Sequence, residues 1–258
     1  SLPATGGLAR IPSGSPVATT PPRNHRLDAV GMLTIFLVLQ FGLPSTLAFG
    51  VLGANGTPAN VFGLLLLVWW LLSRLVPGLG GARGYQPSRI ADGLLATALI
   101  ISYLAAFTRP ITPEEVRAAD RSMITVGAWA GILLSTVDGI DSRERLDALV
   151  RRVATAGTWL AGVAIAQFAT HRELMDSIHI PGLSSAGSTY LFRQYGGDLS
   201  RVNSTAANPI ELGVVLAMTL PLALHVSLYM TRRPLLRWLG VAMIGTAVFM
   251  SFSRSGML

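Results

Sequence analysis

From Ala29 to Ser73 the chain carries no charged side chain, and Arg74 closes the run. A helix crossing the hydrocarbon core of a bilayer needs about 20 residues. The stretch is therefore too long for one crossing and suits two. The turn formers of Gly53-Ala-Asn-Gly-Thr-Pro58 mark the break between them. The expected hairpin is a helix over 28–48, kinked at Pro44, and a second helix over 58–76. Further apolar runs follow at 93–108, 122–137, 153–170, 212–231 and 238–253. The expected fold is all-α, a polytopic transmembrane helix bundle of about seven spans.

Composition removes the main competing classes. Charged residues make up 13% of the 258 and mean hydropathy is +0.53, whereas soluble domains carry about 25% charged residues. That leaves too little polar surface to cover a globule in water. The net charge is +7, and every basic residue is an arginine. Nucleic-acid binding would need a basic face on a soluble scaffold, but here the arginines punctuate apolar runs, so no nucleic-acid partner is expected. The absence of cysteine excludes disulfides and thiolate metal sites.

Residues 1–26 are rich in Pro, Gly, Ser and Thr without periodicity and read as a disordered tail. Residues 27–258 then form the transmembrane domain, expected to be truncated at its C-terminal end, with a long loop at about 171–207. Arginine counting sets the expected orientation. With the N-terminus in the cytoplasm, thirteen arginines fall on inside segments, among them Arg74, Arg89, Arg145 and Arg152. Seven fall outside, including Arg109, Arg201 and Arg254.

Helix starts are written as a polar residue followed by proline. Thr112-Pro-Glu-Glu115 and Asn208-Pro-Ile-Glu211 each offer an N-cap, Pro at the first helical position and Glu at the third. Thr57-Pro58 is a weaker copy. Asp141-Ser-Arg-Glu144 is a further capping box, and the segment after it is expected to lie along the interface before turning into the fifth span.

Candidate chemistry concentrates around the 171–207 loop. With the N-terminus inside, Arg201 and Arg254 belong to the same membrane face, one before an inward helix and the other after an outward one. An arginine at that depth is costly without a partner. Two guanidinium forks near the positive end of the helix beginning at Asn208 suit a phosphate or diphosphate ester. The alternative is that both arginines snorkel to lipid headgroups. Glu211 fits either a helix cap or a general base, and its place in the capping box favours the cap. His171 and His179, with Glu173 and Asp176 between them, are spaced too widely for one metal shell, so no metal site is expected.

On two of these segments the chain resembles the O-antigen ligase and polysaccharide polymerase superfamily of bacterial membrane proteins. The segments are Arg201-Val-Asn-Ser-Thr-Ala-Ala-Asn-Pro-Ile-Glu-Leu-Gly213 opening a membrane helix, and Ser251-Phe-Ser-Arg-Ser-Gly256 one helix pair later. The hairpin from Leu43 through Pro58 also resembles the first two helices of actinobacterial members, and an arginine-only basic complement suits such a source. The resemblance implies a metal-independent membrane glycosyltransferase in the bacterial plasma membrane, acting at its outer face without a cofactor. Its partners would be an undecaprenyl-diphosphate-linked glycan donor, an acceptor glycan or lipid, and the surrounding membrane lipids. It implies that Arg201 and Arg254 bind the donor diphosphate, with Asn208 and Glu211 capping the helix beside them. Members have more helices than this chain, which is expected to cover little more than the N-terminal half and not to act alone. Their catalytic histidine lies on a later external loop, so the group that activates the acceptor is expected beyond residue 258. A transporter or flippase for a lipid-linked glycan is the rival reading, for which internal inverted repeats would be the sign.

Overall fold

The computed structural model describes residues 29–50, 56–76, 86–140, 142–170, 174, 178, 180–185, 202–230 and 234–251. Seven α-helices occur among the described residues. They are α1 (Ala29–Gly42), α2 (Pro58–Leu75), α3 (Pro87–Ala106), α4 (Pro113–Gly139), α5 (Arg143–Thr170), α6 (Pro209–His225) and α7 (Pro234–Ser251). Two three-residue strands, β1 (Leu47–Phe49) and β2 (Leu183–Ser185), pair antiparallel with Leu47 opposite Ser185. The tail over 1–26 lies outside the described residues.

Five helical segments are long and apolar enough to cross a membrane: α2, α3, α4, α5 and the stretch Pro209–Met230. The last joins α6 to five residues of π-helix, Val226–Met230. α1 and the described part of α7 are apolar but shorter. Large apolar side chains face outward along the helices, among them Leu94, Ile101, Trp129, Met218 and Phe249, the last 82% exposed. Water would penalise such a surface heavily, and lipid does not. α3 has no buried residue and touches the rest chiefly through α4. The chain is a polytopic α-helical membrane protein.

Three starts behave as the sequence indicates. Thr57 and Thr112 accept hydrogen bonds from the backbone N–H groups of Asn60 and Glu115. The Glu115 carboxylate returns to the N–H of Thr112, completing the reciprocal box. Asn208 accepts from the N–H of Glu211 at 2.8 Å. Glu211 departs from that pattern, because its carboxylate accepts the N–H of Ala207 instead.

Two expectations are corrected. The first helix ends at Gly42, so Pro44 terminates it rather than kinking it. Proline disfavours the α conformation in the residue before it, and the chain beyond turns into β1. Nor does an interfacial segment turn into the fifth span: α5 is one unbroken helix of 28 residues. No proline interrupts it, and at 1.5 Å per residue it extends about 42 Å, longer than the roughly 30 Å hydrocarbon core. Its charged first turns continue the same helix instead of folding over.

Small residues set the helix crossings, as expected where lipid offers no competing drive for association. Gly63 of α2 lies against Ala128 and Gly131 of α4, and Gly157 of α5 against Thr219 of α6. α5, α6 and α7 share the main core, built from Leu160, Ala161, Ala164, Leu212, Leu216, Ile244 and Ala247.

Candidate functional site

The polar stretch before α6 is anchored at one end of the bundle. Val202 is 2% exposed and belongs to the core shared by α5, α6 and α7. Ser204 donates its hydroxyl to the Leu160 carbonyl, while its backbone N–H and C=O both bond to the Gln167 amide of α5. Thr205 donates to the Phe41 carbonyl at the end of α1, and its own carbonyl accepts from the N–H of Ser45. The stretch is thus an inserted arm stitched to α1 and α5.

That arm delivers the chain to the α6 N-terminus. Asn208 satisfies one orphan N–H of the first turn, and Glu211 folds back to Ala207. A helix start carries partial positive charge and favours an anion. A shallow cleft beside it is lined by Gln40, Phe41, Ser45, Thr205, Ala206 and Glu211. The β1–β2 pair joins the α1–α2 connection to the loop after α5 at the same end.

α7 returns to this level. Ser251, its last described residue, lies beside Gly213 in the second turn of α6, where an added Cβ would sit 2.8 Å from the Ser251 hydroxyl oxygen. The described flanks of the two motif segments therefore share one end of the bundle. Arg201, one residue before Val202, and Arg254, three after Ser251, lie outside the described residues. So do His171, Glu173, Asp176 and His179.

The opposite end carries a cluster that sequence reading treated only as topology signal. Asp138, at the end of α4, pairs with Arg74 of α2 and Arg89 of α3, and its side chain is 7% exposed. Trp70 donates its indole N–H to the same carboxylate at 2.6 Å, and Arg74 stacks over the Trp70 ring at 5.0 Å. Arg152 of α5 donates to the Val30 carbonyl and to Thr34 on α1. These arginines are partnered within the fold, whatever role they have in orientation.

Two missed residues had a legible signal. Gln167 and Asp138 are each a lone polar group at an apolar run, and such a group is costly in a bilayer unless a partner meets it. Comparison with protein-family models, with curated proteins and with solved structures finds no match to this chain.

Proposed function

We propose that the chain is part of a membrane glycosyltransferase, a ligase or polymerase of the O-antigen ligase type, in a bacterial plasma membrane with its N-terminus in the cytoplasm. It acts at the outer face on a glycan carried by undecaprenyl diphosphate. The observation that carries the reading is the shared end of the bundle: the arm Val202–Asn208 enters α6 there, and α7 comes back beside Gly213. The two segments that resemble the family flank that end.

In this reading the acceptor hydroxyl attacks the anomeric carbon of the donor sugar. A new C–O bond forms as the bond to the diphosphate oxygen breaks, and the hydroxyl proton passes to a base not assigned among these residues. Negative charge grows on the leaving diphosphate. Arg201, Arg254 and the α6 N-terminus stabilise it, and such stabilisation of developing charge is usually the largest catalytic term. Asn208 and Glu211 hold the helix start, and no metal or nucleotide sugar takes part.

The test is reconstitution of the full-length protein in liposomes with an undecaprenyl-diphosphate-linked glycan and an acceptor glycan. The reading predicts an acceptor enlarged by the donor glycan, with undecaprenyl diphosphate released in equal amount. Movement of the donor between leaflets without transfer would overturn it in favour of a transporter.

A further inference from the structure

Arg74 stands in the last turn of α2, Arg89 in the first turn of α3 and Asp138 in the last turn of α4, so all three lie where helices leave the hydrocarbon. Both arginines pair with the one carboxylate. Trp70 donates its indole N–H to it as well, and the Arg74 guanidinium lies over the Trp70 ring. The three charges are unequally covered. The Asp138 side chain is 7% exposed, whereas those of Arg74 and Arg89 are 26% and 21% exposed. An approaching ion therefore meets guanidinium and not carboxylate.

Nor does the charge at this end balance. Arg145 of α5 donates to the Gly139 carbonyl next to Asp138 and brings a third arginine. Asp92 lies three residues beyond Arg89 on α3, one turn further into the helix, and among the described residues it bonds to neither Arg74 nor Arg89. Three arginines thus stand against two carboxylates. Surplus charge at a membrane helix end is costly unless a counter-ion meets it. The surroundings are apolar: α2 and α3 each pack on α4 with little contact between them. Leu71 and Leu72 beside Arg74, and Ile90 and Leu94 beside Arg89, are exposed.

We propose that this cluster binds the phosphate of an anionic phospholipid, with its acyl chains lying along the exposed leucines of α2 and α3. A guanidinium has five donors in a fixed fork, so an arginine bonded to Asp138 keeps donors for a second oxyanion. One phosphodiester charge matches the surplus of one. A zwitterionic headgroup adds an ammonium that the surplus disfavours, and basic pockets between membrane helices recognise anionic headgroups in this way. Trp70 suits the same depth, since indole rings favour the headgroup level. The site lies at the end of the bundle away from the α6 start and is independent of the transferase reading.

The experiment measures the thermal unfolding midpoint of the purified full-length protein in detergent. Phosphatidylglycerol, phosphatidylcholine of the same acyl chains, or inorganic phosphate is added in turn. A ligand that binds only the folded state raises the midpoint. The expected result is a rise of about 5 °C with phosphatidylglycerol, a clearly smaller one with phosphatidylcholine and none with inorganic phosphate. Arg74→Gln and Arg89→Gln each keep a donor for Asp138 but remove one charge, and each should reduce the phosphatidylglycerol rise to the phosphatidylcholine level. Arg117→Gln, at an exposed position near the other end of α4, should leave the difference between the lipids intact. Equal rises with the two lipids would overturn the proposal. So would a difference that survives in both Arg74→Gln and Arg89→Gln, or one that disappears in Arg117→Gln. A rise with inorganic phosphate as large as that with phosphatidylglycerol would overturn it in favour of a free-anion site. Should one glutamine variant fail to give monodisperse protein, the other, on a different helix, carries the comparison.

Discussion

Gly131 of α4 faces the backbone of α2 so closely that a Cβ added there would lie 2.2 Å from the carbonyl oxygen of Gly63. Backbone atoms cannot swing aside as a side-chain tip can. Gly131→Ala must therefore push α4 away from α2 along their whole seam, where Leu66, Ala128 and Leu134 are buried. Overpacking of this kind costs about 1–3 kcal/mol. Gly93 and Gly245 have open space at the same position and serve as controls. Thermal unfolding in detergent should show a lowered midpoint for Gly131→Ala and little change for Gly93→Ala or Gly245→Ala. Equal midpoints for all three would refute the close crossing.

Asp138 joins three helices through Arg74, Arg89 and Trp70. Replacing it by asparagine removes the carboxylate charge that the two guanidinium groups share. Breaking a buried pair in this way costs about 3–5 kcal/mol, and the low end applies because the Arg74 and Arg89 side chains are only partly buried. α3 should respond most, since it has no buried residue of its own. Cysteines paired across α3 and α4 near Ser88 should cross-link readily in the natural chain and poorly in Asp138→Asn. Undiminished cross-linking would show that lipid packing alone holds α3.

Glu211 accepts the Ala207 N–H, a bond that a glutamine carbonyl can also accept. Glu211→Gln in the full-length protein should therefore keep glycan transfer near its natural rate. A loss above about a hundredfold would assign acid–base chemistry to Glu211 instead.

What was legible in the sequence was local. Thr57-Pro58, Thr112-Pro113 and Asn208-Pro209 mark helix starts because the cap, the proline and the first-turn amides lie within four residues. What was missed is contact between distant segments. The Gln167–Ser204 clamp spans 37 residues and the Arg74–Asp138 pair 64, and no periodicity records such partners. β1 and β2, three residues each, are too short to show alternation and exist because two loops meet at one end of the bundle. The continuity of α5 is not legible because its arginine-rich first turns resemble an interfacial helix, whereas nothing in the helix breaks it between Arg143 and Thr170. The fold class was therefore readable, but the construction of the arm before α6 was not.

Orientation is open to a direct check, because the natural chain has no cysteine. Ser88 and Ser184 are both exposed, at opposite ends of the bundle. Single cysteines there should react with a membrane-impermeant thiol reagent from opposite sides, with Ser184→Cys labelled in intact cells. Labelling of Ser88→Cys in intact cells would invert the orientation and place the proposed site on the wrong face.

The central claim is that Arg201 and Arg254 together hold the donor diphosphate. Lysine keeps the charge but cannot form the bidentate fork. Each lost charge-assisted contact is worth about 1.5–3 kcal/mol, which is roughly a ten- to hundredfold effect. The measurement is glycan transfer by full-length Arg201→Lys and Arg254→Lys at matched expression. The account predicts that each variant loses at least about tenfold, and near-natural transfer in both would contradict it.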